Sequence, residues 1–208
     1  MEQIEAKIKE IQQELDDNPE DAGLWNELGT GYHLIGEYKQ AIEAYQTALK
    51  HAPKDHKIHY NMANSYFEDE QIEPAVNHYL NAIDIKADYI PALNNLADIY
   101  ELANEAQKAK ELFEHITQIE PDNPMGHFNL GNHYLRHSNT VEAAGSYKKA
   151  IDLDPNFHEA YNNIGLMLKH LGQYKEAITY YEQCLEIAPD YGPAAKDLQE
   201  CRQKLEEQ

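Results

Sequence analysis

The chain has 208 residues and a formal net charge of −20, with 17 Lys and Arg against 37 Asp and Glu. That balance excludes the cationic footprint needed for nucleic acid or an anionic lipid surface. Cys184 and Cys201 form no CxxC or His/Cys pattern, so they are expected as small core residues rather than redox or metal groups. At the start, MEQIEAKIKEIQQ is charged throughout and has no apolar h-region, so no secretory signal is expected. No apolar run approaches the roughly 18 residues of a membrane span. A cytoplasmic chain is the expectation.

Ile4, Ile8, Ile11 and Leu15 recur at helical spacing and predict a helix over 3–16. Next, Trp25, Leu28, Gly29 and Tyr32 follow i, i+3, i+4, i+7, one face of a helix that Gly36 ends. Tyr38, Ala41, Ile42, Tyr45, Ala48 and Leu49 form the stripe of a second helix, and Pro53 closes the unit. The pattern then repeats without insertion. Tyr32, Tyr66, Tyr100 and Tyr134 recur at one fixed interval, as do Ala41, Ala75, Ala109, Ala143 and Ala177, and Tyr45, Tyr79, Phe113, Tyr147 and Tyr181. That interval is 34 residues, the period of a helix-turn-helix array. Pro74, Pro91, Pro124 and Pro193 fall in predicted first turns, where proline is tolerated. At the far end Ala195, Leu198 and Leu205 are expected as the apolar stripe of a last helix, with Gln199 and Arg202 polar at formerly buried slots.

This resembles the tetratricopeptide repeat. The family pattern W-x2-L-G-x2-Y, A-x3-F and P is matched by Trp25, Leu28, Gly29, Tyr32, Ala41, Tyr45 and Pro53. Residues 90–123 give Leu93, Leu96, Ala97, Tyr100, Ala109, Phe113 and Pro121; residues 124–157 give His127, Leu130, Gly131, Tyr134, Ala143, Tyr147 and Pro155. Residues 158–191 give Tyr161, Ile164, Gly165, Ala177, Tyr181 and Pro189, with Leu168 in a Tyr slot. Residues 56–89 depart most: His59 and Met62 replace Trp and Leu, and Ala87 takes the Pro slot. The resemblance implies an all-α right-handed superhelical solenoid of antiparallel helix pairs. Its expected parts are a capping helix in 1–21, five repeats (22–55, 56–89, 90–123, 124–157, 158–191) and a capping helix in 192–208.

In that architecture the first helix of each repeat lines a concave groove. One column there is nearly uniform: Asn61, Asn95, Asn129 and Asn163, with Glu27 breaking it in the first copy. A carboxamide offers two donors and an acceptor, enough to bond both the N–H and the C=O of an extended peptide. Similar ladders in O-linked N-acetylglucosamine transferase and related adaptors imply the same role for these four residues. Against this stands a structural reading, in which the ladder bonds within the array. Asn64, Asn132, Tyr60, Phe128, Asp98 and Glu101 complete the expected peptide-binding set. Phe67, Leu102, Met125 and Leu135 are expected on the same face. The groove charges are Glu27, Glu68, Asp98, Glu101 and Glu159 against Lys57, Arg136 and Lys169.

Co-chaperone tetratricopeptide domains grip a heat-shock chaperone's C-terminal carboxylate with two Lys, two Asn and an Arg. Here the Asn slots match Asn64 and Asn95, but the basic slots hold Tyr60, Met125 and Asn129. Without cations such a tail has no partner. No HExxH, phosphate loop or GxSxG elbow occurs. His51, His56 and His59 gather near one turn, and His127 and His133 sit on poorly matched faces. No catalytic residue, cofactor or metal is therefore expected. The functional expectation is a noncatalytic adaptor or scaffold that binds an extended peptide carrying basic and apolar residues. The alternatives are a self-assembling scaffold, with the groove taking a neighbouring copy's terminus, and an accessory subunit of an enzyme.

Overall fold

The structure, a computed structural model, describes residues 2–207. Met1 and Gln208, the outermost positions of the expected caps, lie outside the described residues. The described residues form helices joined by short turns, with no strand. They fall into two compact units, one ending at Ala103 and one starting at Asn104. The first holds α1 (Glu2–Asp17), α2 (Ala22–Leu34), α3 (Tyr38–His51), α4 (His56–Glu68), α5 (Ile72–Ile85) and α6 (Ile90–Leu102). The second holds α7 (Ala106–Ile119), α8 (Pro124–Arg136), α9 (Thr140–Leu153), α10 (His158–His170), α11 (Tyr174–Ile187) and α12 (Gly192–Glu206).

Turns of three residues reverse the chain within α2/α3, α4/α5, α8/α9 and α10/α11, so each couple packs antiparallel. Each of these four turns, and the three-residue link from α6 to α7, has one residue in the left-handed region: Gly36, Glu70, Ser138 and Gly172, with φ of 82°, 59°, 62° and 72°, and Asn104 with φ of 58°. Glycine and asparagine suit that conformation; glutamate and serine hold it at a cost. The first helices begin in two ways. Asp21, Asp55 and Asn123 accept backbone N–H bonds as N-caps. Tyr89, Phe157 and Tyr191 make no cap bond and instead set their rings edge-on to Tyr60, Phe128 and His158.

The core of each couple is a small residue facing a large ring. Ala41, Ala75, Ala109, Ala143 and Ala177 are fully buried, as are Tyr45, Tyr79, Tyr147 and Tyr181. A Cβ added at Gly29, Gly131 or Gly165 would meet Tyr45, Tyr147 or Tyr181 at 2.6, 2.7 or 2.8 Å. Glycine there lets the second helix close on the first. Ile8, Ile11 and Leu15 of α1 bury against Leu28 and Ala44. On α12 the buried stripe is Ala194, Leu198 and Cys201. This corrects the expected Ala195 and Leu205, which are exposed. The helix turns its neighbouring face inward because Cys201 meets Tyr181 and Cys184. Both cysteines are core residues, and burial pushes the Cys184 thiol up to about 11.

Candidate functional site

In the first unit α4 carries Asn61 and Asn64 three residues apart, which places both on one helix face. Asn61 donates to Asn26 Oδ1 at 3.0 Å. Asn64 Oδ1 accepts from the Tyr79 hydroxyl at 2.5 Å and from Asn95 Nδ2 at 3.0 Å. Asn95 Nδ2 also reaches the Tyr79 oxygen at 3.1 Å. The three groups close a ring of hydrogen bonds that ties α4, α5 and α6 together. Burial pushes the Tyr79 phenol up to about 12, while its bond from Asn95 acts the other way.

The second unit repeats this rung. Asn132 Oδ1 accepts from the Tyr147 hydroxyl at 2.8 Å and from Asn163 Nδ2 at 3.0 Å. Burial again pushes the phenol to about 12. Asn162 adds a bond to Asn163 Oδ1 at 3.3 Å. The second unit also holds Asn129, half-buried on α8. The preceding second helix, α7, carries Phe113 where the other rungs have a tyrosine. There is no hydroxyl to engage the carboxamide, and among the described residues Asn129 makes no side-chain hydrogen bond. The Asn column therefore divides: Asn61, Asn95 and Asn163 donate within the array, and Asn129 keeps its donors and acceptor uncommitted.

The other expected site residues divide likewise. Tyr60 is half-buried against Tyr79 and Tyr89, and Phe128 against Tyr147 and Phe157. Their rings fill space between helices before they line anything. Glu101 is buried and Asp98 is exposed. Leu102 and Met125 are exposed, whereas Phe67 and Leu135 are half-buried. A pocket of about 330 Å³ opens in the first unit, lined by His33, Asn64, Phe67, Glu68, Asn95 and Asp98 among others. Two exposed carboxylates, Glu68 and Asp98, stand at its mouth beside an aromatic wall. Lys169, expected as a groove cation, is held by Asp197 at 2.9 Å and Glu200 at 2.6 Å on α12. Tyr181 donates to the same Asp197 at 3.3 Å.

Sequence reasoning missed what some histidines do. Trp25 Nε1 donates to the Pro19 carbonyl at 2.8 Å. His127 and His59 place a ring nitrogen on the Pro121 and Pro53 carbonyls, at 2.9 and 3.3 Å. A histidine replaces the family's tryptophan because both bring a ring N–H to the preceding turn. His59 then meets His78, Nδ1 to Nδ1 at 3.0 Å, rather than His51 or His56. Burial, with His59 beside it, holds His78 down at about 4. On α8 the relevant partner of His133 is His137, one turn away with ring centroids 4.7 Å apart. His-x3-His spacing was readable in the sequence.

Tetratricopeptide repeat descriptions match residues 56–89, 90–123, 124–157 and 158–191, and a TPR repeat description matches 29–70. The human protein O-mannosyl-transferase TMTC1 is 28% identical over 177 residues, 81% of this chain and 20% of its own length. The first curated relatives are spanned over only 20–32% of their lengths. A solved C-terminal part of a TPR repeat-containing protein from Cytophaga hutchinsonii superposes with TM-score 0.80 at 19% identity, covering 96% of this chain and 80% of that one. YrrB, described as a TPR protein with an unusual peptide-binding site, gives TM-score 0.70 at 17% identity, covering 89% and 96%. At these identities the structural matches speak for the fold.

Proposed function

We propose that this chain, which belongs to the tetratricopeptide repeat family, is a noncatalytic protein-interaction scaffold that binds an extended peptide, with Asn129 as its main-chain contact. The observation that carries this reading is the uncommitted carboxamide of Asn129, in a column whose other members donate within the array. A carboxamide with free donors and acceptor can take a peptide N–H and C=O at once. Separately, within the first unit, the exposed Glu68 beside Phe67 suits a Lys or Arg whose stem lies on the ring. We assign α1 and α12 to capping the array's ends. A peptide-binding site is named for YrrB, which shares the fold.

The test starts from peptides selected out of a random library on the full chain. They should be enriched in Lys or Arg, and their binding should weaken as salt rises. Asn129→Ala should weaken the best peptide at least about fivefold, since a lost partner in a closed contact costs about 1–3 kcal/mol. Its melting temperature should stay near the parent's. Selection without basic enrichment, or Asn129→Ala binding at parental affinity, sinks the proposal.

A further inference from the structure

We propose that His133 and His137 form a chelate for a divalent transition-metal ion of the Ni²⁺ or Cu²⁺ kind at the C-terminal end of α8. Two imidazoles at i and i+4 lie on one helix face, the spacing by which helical histidines hold metals. Here the ring nitrogens lie within 4.8 Å of one another and the ring centroids are 4.7 Å apart. Two imidazoles with open positions left for water suit Ni²⁺ or Cu²⁺, which stand high in the affinity order for nitrogen ligands.

The surroundings add two arguments. His133 is buried, with the Phe113 and Tyr134 rings at 5.9 and 5.6 Å, so its ring is held in place before any ion arrives. His137 is the C-cap of α8, where the helix's exposed carbonyls favour a cation. His137 is half-buried, so solvent reaches its ring and water can fill the remaining coordination positions. The His59–His78 pair joins two different helices, with its Nδ1 atoms 3.0 Å apart, rather than sitting one turn apart on one helix.

The experiment is a calorimetric titration of Ni²⁺ into the tag-free, chelator-stripped full chain, with melting measured in parallel. The parent should take up one saturable equivalent and melt higher with Ni²⁺ than without it. His137→Gln should lose that equivalent and the metal-dependent rise while keeping the parent's helical circular dichroism. His78→Gln should keep the equivalent, which separates this site from the other histidine pair. No saturable equivalent in the parent overturns the proposal, as does one that survives His137→Gln.

Discussion

Two rungs of the second unit hold the same residue in opposite circumstances. At one, Asn163 is joined to Asn132, and Tyr147 bonds the same oxygen. At the other, Asn129 faces a position where Phe113 replaces the tyrosine and is left without a bond. Two positions separate the cases: Phe113 lacks the hydroxyl of Tyr147, and Asp98 stands in the sequence slot that Asn132 fills. An asparagine in this column is structural or available according to the partners its neighbours offer: Asn26 for Asn61, Asn132 for Asn163, and both Asn64 and Tyr79 for Asn95. A buried rung holds polar groups in a low-dielectric setting, where losing one partner leaves the others unsatisfied. An uncommitted carboxamide at a half-buried position has no such dependants.

The largest way to break the comparison is to remove the end of the unit. Tyr181 has no asparagine partner and bonds Asp197 of α12, which also holds Lys169. Deleting 192–208 removes that carboxylate together with Ala194, Leu198 and Cys201, and uncovers Tyr181 and Cys184. Exposed apolar patches of this kind drive association. The truncated chain should melt well below the parent or be recovered as aggregate, as read by calorimetry and light scattering. A soluble truncate with parental melting would remove α12 from the role of cap.

Next in size is Tyr147→Phe, which removes from the occupied rung the hydroxyl that Phe113 lacks. Asn132 and Asn163 lose the phenol, at an expected cost of about 1–3 kcal/mol in a denaturant titration. The same variant carries a pH signature. Tyr45, Tyr79 and Tyr147 are each raised to about 12 by burial, against about 10 in an unfolded chain. The folded state holds these protons more tightly. Their stability is fully present below about pH 10 and is lost as pH climbs toward 12. Tyr147→Phe should therefore lose less stability than the parent between about pH 10 and 12. Parallel alkaline profiles would remove Tyr147 from that balance.

Much of the fold was legible because a fixed period leaves nothing to arbitrate. Ala41 and its equivalents, Gly29, Gly131 and Gly165, and the paired tyrosines recur in register, and each lands in the core. Periodicity alone missed the α12 face, where Ala195 and Leu205 were read as inward. There is no following repeat to fix the phase, and the Cys201 contact decides it. The candidate site was less legible. The Asn column was visible, but its division depends on acceptors from other helices, such as Asn26 for Asn61 and Asn64 with Tyr79 for Asn95. Reading down the column hides this, because the deciding residues sit outside it. Phe113 fits the aromatic column as well as tyrosine does, yet it lacks the oxygen. Glu101 looked like Asp98's neighbour on the face, yet three residues around the helix carry it into burial. His133 was compared with His127, six residues away, instead of with His137.

The smallest effect is also the sharpest test, since it adds a group. Phe113→Tyr supplies the hydroxyl that Tyr79 and Tyr147 supply elsewhere. Phe113 is already 95% or more buried and lies on the helix preceding α8, so a new phenol there needs a partner, and the Asn129 carboxamide is unengaged. If the bond forms, stability should rise by about 0.5–1.5 kcal/mol, the net worth of one hydrogen bond. If Asn129 is the peptide's main-chain contact, the same substitution should weaken a selected basic peptide, because the carboxamide would then be occupied. The two readouts move in opposite directions only if one group serves both purposes. Greater stability with unchanged affinity would leave the rung structural in both places and assign the peptide to other residues. Lower stability would mean that the hydroxyl finds no partner, and that Asn129 lies too far from Phe113 for one oxygen to explain the contrast between the rungs.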